Sequence, residues 1–151
     1  MPDPVTLTAA TARYELPFLF FAQAQKEAFI NEALVRIDTL LHPAVLAEQV
    51  TPPADPQPGT TYLVAESANG EWEGKAGALA AWTGSQWVFV AARSGMTARD
   101  LSTGQVLVFD GDWIRVSDPV APEGGSTIDT ECRNALAALI DALRSHGIFS
   151  S

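Results

Sequence analysis

Cysteine is all but missing from this chain of 151 residues: Cys132 stands alone, so no intrachain disulfide can form. With one cysteine and two histidines there is no Cys/His set at metal-ligand spacing. Basic residues are half as numerous as acidic ones, 9 against 18, and the acidic excess is spread evenly over residues 1–50, 51–117 and 118–151. A net charge of −9 without a basic patch or tail excludes the usual electrostatic grip on nucleic acid or an anionic membrane, and reads as solubility. Long apolar runs are also lacking. The longest, Leu16 to Ala22, falls far short of the roughly 20 residues that span a bilayer. The opening Met-Pro-Asp-Pro has none of the positive charge of a signal peptide.

Catalytic signatures are equally scarce. No Gly-x-Ser-x-Gly, P-loop or dinucleotide fingerprint occurs. Glu71 and Glu73 flank Trp72, and paired carboxylates beside an aromatic can mark a glycosidase, but on a strand they read as exposed charges sharing one face. Asp110-Gly-Asp112 lacks the further ligands of a calcium loop. His42 reads as a residue at a helix C-terminus, favoured by the dipole, rather than a ligand. The expectation is a protein that is not an enzyme and has no catalytic residues, cofactor or metal.

What the chain does contain is the composition of a globular protein, 47% hydrophobic and 18% charged. Its centre is Gly77 to Phe89, two apolar runs facing each other across Thr83-Gly-Ser-Gln86, which predicts a hairpin with Trp82 and Trp87 near one another across the strands. Before it, residues 1–15 read as an extended arm, and Leu16-Pro-Phe-Leu-Phe-Phe21 as an extended apolar segment, because Pro17 opposes a helix. Ala22 to Leu41 reads as a helix with Ile30, Ala33, Leu34, Ile37 and Leu41 on one stripe. Pro43 stops it. Four prolines between Thr51 and Gly59 make a stiff connector.

Thr61 to Val64 is a predicted strand, and Gln105–Phe109 with Trp113–Val116 a last hairpin about Asp110-Gly111. Arg93 to Met96 is a predicted loop. Asp118 to Gly125 reads as a flexible tether, and Ser126-Thr-Ile-Asp129 has the spacing of a capping box opening a second helix. There Cys132, Leu136, Leu139 and Leu143 form a short coiled-coil seam on which Cys132 is expected to be buried. Arg144 and His146 fall in its last turn, and Gly147 ends it. The fold class is therefore α+β: an N-terminal helix, a small antiparallel β meander or sandwich, and a C-terminal helix on a flexible tether. Three segments follow: 1–50 for arm and oligomerisation helix, 51–117 for an aromatic-rich β module, 118–151 for tether and helix.

Two sets of residues are candidates for contact with partners. Phe18, Phe20, Phe21, Ile30, Leu34 and Ile37 offer more apolar surface than a small meander can cover, which points to self-association, and the seam of Leu136, Leu139 and Leu143 is expected to dock either on this chain or on copies of itself. Of the aromatics, Trp82 and Trp87 are expected in the core. Trp72, between two glutamates and near glycines, is expected on the surface, where an indole could stack on a sugar.

These residues also carry a resemblance. Leu16-Pro-Phe-Leu19, Gln23-Ala-Gln-Lys-Glu27, Asn31-Glu-Ala-Leu34 and Ile37-Asp38, then Pro52-Pro53, Tyr62-Leu-Val64, Trp72, Trp82, Trp87, Phe89 and Gly95-Met96, resemble an uncharacterised domain family. That family occurs in tail-fibre-type proteins of phages, prophages and gene transfer agents of alphaproteobacteria. The likeness covers most of residues 12–148. It departs at Ala22, where glycine is expected, and at Ala92, where proline is expected. The resemblance implies a structural protein of the virion tail, assembled in the host cytoplasm, acting as a homo-oligomer, a trimer, in host attachment. Its implied partners are itself, other tail or baseplate proteins and host cell-surface glycan, with no nucleic acid and no membrane insertion. The alternatives are a carbohydrate-binding receptor module and a head-spike component.

Overall fold

A computed structural model describes residues 9–19 and 26–150. The expected class is observed: these residues form two α-helices, one towards each end, and eight strands in two sheets. They divide into two compact units, the first closing at Ala92 and the second opening at Arg93. This differs from the expected three segments. The first helix packs on the central hairpin and belongs with it, while the last hairpin stands with the C-terminal helix in the second unit.

In the first unit α1 runs from Lys26 to Leu40; the expected start at Ala22 lies outside the described residues. Two short strands follow, β1 at Ala44–Val45 and β2 at Glu48–Gln49. Then come β3 at Thr61–Val64, as predicted, β4 at Leu79–Trp82 and β5 at Trp87–Val90. The sheet order is β2-β3-β4-β5. The first pair is parallel and the other two antiparallel, so the meander is not wholly antiparallel as expected.

The predicted hairpin forms between β4 and β5, with Trp82 directly opposite Trp87. Its turn is held by Thr83, whose N–H donates to the Gln86 carbonyl at 3.1 Å and whose hydroxyl accepts the Gln86 N–H at 3.1 Å. Gly84 supplies the positive φ of 100° that the turn requires.

Strand alternation puts Tyr62, Val64, Ala80, Trp87 and Phe89 on one face of this sheet. The loop between β3 and β4 folds over that face and drives Trp72 into it. Tyr62, Val64, Trp72 and Ala80 are buried together, with Trp87 and Phe89 packed against them. The Trp72 ring lies 5.0 Å from that of Trp87, edge to face, and 5.8 Å from that of Tyr62. Such aromatic pairs add about 0.5–1.5 kcal/mol beyond their buried area. The expectation of an exposed Trp72 on a strand is thus overturned: Trp72 is 0% exposed and closes a 3-10 turn, Gly70–Trp72. Its polar neighbours Glu71 and Glu73 do point to solvent, because a single turn lets alternate residues face opposite ways.

In the second unit β6, Thr97–Asp100, β7, Val106–Asp110, and β8, Asp112–Ile114, make an antiparallel meander. The predicted Asp110-Gly111 turn is present, with Gly111 at φ 84°. The strand β6 was not predicted. Its inward residues are Ala98 and Asp100, and an inward aspartate reads from sequence as surface.

The second helix, α2, spans Thr130–Ser145. Asp129 itself is the N-cap, its carboxylate accepting the Cys132 N–H at 2.8 Å, which corrects the expected start at Ser126. At the other end Ile148 N–H reaches Leu143 O at 2.9 Å and Gly147 N–H reaches Arg144 O at 2.8 Å, a Schellman close with Gly147 at φ 76°. The tether is strapped along α2. The Arg133 guanidinium donates to the Pro122 and Gly124 carbonyls, and Arg144 pairs with Asp118.

Candidate functional site

The orientation of α1 defines the main surface feature of the first unit. Residues 9–19 form a tight loop closed by hydrogen bonds from Thr11 N–H to Leu16 O and from Phe18 N–H to Ala9 O, each 2.9 Å. This loop is fastened to one face of α1. The Asp38 carboxylate accepts from the Thr11 hydroxyl at 2.7 Å, the Tyr14 N–H at 2.8 Å and the Arg13 N–H at 3.1 Å. Arg13 in turn donates to the carbonyls of Asp38, Thr39 and His42, at 3.0, 3.1 and 2.9 Å, satisfying the last acceptors of the helix with a positive charge at the negative end of its dipole. Asn31 completes the fastening, accepting the Leu19 N–H at 2.9 Å and donating to its carbonyl at 3.2 Å. Gly59 lets the loop sit close, since a Cβ there would meet the Ala12 Cβ at 3.0 Å.

The consequence is a helix that buries two of its polar residues, Asp38 and Thr39, while the Glu32–Arg36 pair stays in solvent. Asp38 and Thr39 are 5% and 2% exposed, whereas Phe29 is 79% exposed and Ile30, Ala33, Ile37, Leu40 and Leu41 also face solvent. Of the predicted interface residues, Ile30 and Ile37 lie on this open stripe, Leu34 at its half-buried edge, and Phe18, half-buried, in the loop itself. There Phe18 lines a cavity of about 200 Å³ with Val35, Asp38, Ala81 and Trp82. Phe20 and Phe21 lie outside the described residues. Phe29 and Leu40 were missed. Each falls just outside the stripe read from the sequence, and the spacing of Leu40 from Ile37 and Ala33 could have found it.

The second unit carries two more apolar faces. Along α2 only Ile140 is fully buried; Leu136 and Leu139 are exposed, Leu143 is half-buried, and Cys132 is exposed rather than buried as expected. The seam thus faces outward, because the helix is held by its Ile140 side, by the tether and by the tail after Gly147. On the meander, Val108 and Ile114 are paired across β7 and β8 on one face, and both are exposed.

The polar centre of this unit is structural. Asp100 is 2% exposed and accepts from the Ser102 hydroxyl at 2.6 Å, the Ser102 N–H at 2.9 Å and the Arg115 guanidinium at 3.1 Å. Burial pushes its pKa up, but the hydrogen bonds from Ser102 and Arg115 and the guanidinium charge together outweigh burial and hold it below the ordinary 3.8. Among the described residues no three His, Cys, Asp or Glu side chains converge as a metal site, and no helix is long and apolar enough to cross a membrane.

No curated protein matches the chain. A family model described as a protein of unknown function, DUF2793, matches residues 30–114, from the first exposed isoleucine of α1 to the end of β8. Since this match takes in more than half of the chain, from the open stripe of α1 through the aromatic core to the meander, the protein belongs to the DUF2793 family.

Proposed function

We propose that this chain is a structural subunit of a phage tail fibre or tail tip, acting as a homo-oligomer in attachment to the host. The observation that carries the reading is the exposure of apolar side chains on three separate elements of one chain: α1, α2 and the β7–β8 face. Large open apolar patches usually mark contacts with other proteins. The likeness of the first and middle blocks of the sequence to tail-fibre-type proteins supplies the setting. The decisive experiment is electron microscopy of purified particles carrying an epitope-tagged copy of the chain. Label on the tail is expected. Label on the capsid would move the protein to a head spike, and absence of label from intact particles would end the virion reading.

A further inference from the structure

We infer that Asn69 is a modification site of this chain: its side-chain amide is lost spontaneously through a cyclic imide formed with Gly70, and the product loosens the turn that buries Trp72. The chain has three asparagines, and only Asn69 is followed by glycine. Asparagine is among the thermolabile residues. A glycine after it removes the Cβ that would shield the attacking nitrogen and lets that nitrogen approach closely.

The fold leaves this pair free to react. Asn69 and Gly70 are both exposed. The Asn69 side chain makes no capping hydrogen bond, and among the described residues the Gly70 N–H donates to nothing. At ψ 179° for Asn69, the Gly70 nitrogen lies gauche to the Asn69 Cβ, a partial turn about one bond from the amide carbon.

The other two asparagines are held. Both ends of the Asn31 amide are bonded to Leu19, and Glu32 follows it inside α1. Asn134 lies inside α2 with Ala135 next. The nitrogen that each would need is tied into its helix ladder.

The reaction balances without an oxidant or reductant. The Gly70 nitrogen bonds to the Asn69 Cγ, the bond from Cγ to the side-chain nitrogen breaks, and that nitrogen leaves as ammonia with the Gly70 proton. Water then opens the five-membered ring. Attack at Cγ gives aspartate at position 69. Attack at the backbone carbonyl gives isoaspartate, whose main chain runs through Cβ and Cγ.

Isoaspartate is the product that alters the fold. The Asn69 backbone holds the turn on both sides, its N–H donating to the Val50 carbonyl at 3.0 Å and its carbonyl accepting the Trp72 N–H at 3.2 Å. In isoaspartate this carbonyl becomes a carboxylate off the main chain, and the path to Gly70 gains one carbon. The short turn Gly70–Trp72, which carries the fully buried indole, is thereby lengthened and its first hydrogen bond displaced.

The test is ageing of the purified full chain in warm, mildly alkaline buffer, followed by tryptic digestion and mass spectrometry. Peptide 37–75 contains Asn69 as its only asparagine. It is expected to gain the mass difference between a hydroxyl and an amino group, part of it as isoaspartate detected by enzymatic carboxyl methylation. The peptides carrying Asn31 and Asn134 should stay unchanged, as should Asn69→Gln, whose ring would need a sixth member. Aged parent should show a lower urea midpoint and red-shifted tryptophan emission against Asn69→Gln aged alongside it. Fresh Asn69→Asp should unfold like fresh parent, which assigns the loss to the isoaspartate link. No gain in peptide 37–75, or an equal gain at Asn31 or Asn134, would overturn the site. A modified chain with unshifted midpoint and emission would overturn its coupling to Trp72.

Discussion

The carboxylate of Asp38 accepts a 2.7 Å hydrogen bond from the hydroxyl of Thr11, 27 residues earlier in the chain. This contact and its neighbours decide which way α1 faces. The loop donates its Thr11 hydroxyl and two backbone N–H groups to one carboxylate, and its Arg13 side chain covers the carbonyls at the end of the same helix. Asp38 and Thr39 are thereby buried and an apolar stripe is left open.

Removing the acceptor should release the loop. Asp38→Ala leaves three donors unpaired at a buried site, and a loss of about 2–4 kcal/mol is expected, given roughly 1.5–3 kcal/mol for a hydrogen bond to a charged group. Urea unfolding measures the loss, and trypsin cleavage after Arg13 should quicken at urea concentrations well below the transition. An unchanged midpoint would show that the loop adds nothing to the fold.

The core position of Trp72 has a direct consequence. Trp72→Ala should cost about 3–5 kcal/mol, the range for deleting a large buried aromatic. Replacing Glu71 or Glu73 next to it by Gln should stay within about ±0.5 kcal/mol, since both are exposed. Thermal melts of the three variants compare them; a Trp72→Ala protein as stable as the glutamine variants would contradict the buried site.

Acid should loosen the second unit through Asp100. Its folded pKa is depressed below 3.8, so its unfolded form binds the proton more readily. The stability that Asp100 contributes is complete above the unfolded pKa of about 3.9 and is lost as pH falls through the folded value. Asp100→Asn should lower stability at neutral pH and flatten the dependence below about pH 4. Denaturation followed at pH 7 and pH 3 reads both effects, and an equal slope in parent and variant would exclude the linkage.

Two glycines with positive φ should differ sharply. At Gly111 a Cβ meets nothing within 4 Å, so Gly111→Ala should cost only the left-handed backbone, about 1–2 kcal/mol. At Gly147 a Cβ would lie 2.6 Å from the Gly104 carbonyl oxygen and 2.8 Å from an Arg99 nitrogen, and the Gly147 carbonyl accepts the Val106 N–H. Gly147→Ala should therefore cost clearly more than Gly111→Ala. Similar losses in chemical denaturation would refute the close approach.

Local chemistry determined much of this protein. Pro43 and the Ile30–Leu41 spacing define a helix, Thr83-Gly-Ser-Gln86 and Asp110-Gly111 define turns, and Gly147 ends α2, because each acts over a few bonds and needs no distant partner. The open stripe of α1 was also legible in part, through Ile30 and Ile37. Which face of a helix or loop turns inward was not. Trp72 is buried because the β3–β4 loop folds over the sheet, Asp100 because Ser102 and Arg115 satisfy it, Cys132 is exposed because Ile140 is the side of α2 that docks, and Asp38 is buried because a loop 27 residues away supplies its donors. Burial of a polar or aromatic side chain depends on partners distant in sequence. Only the tertiary structure brings those partners together.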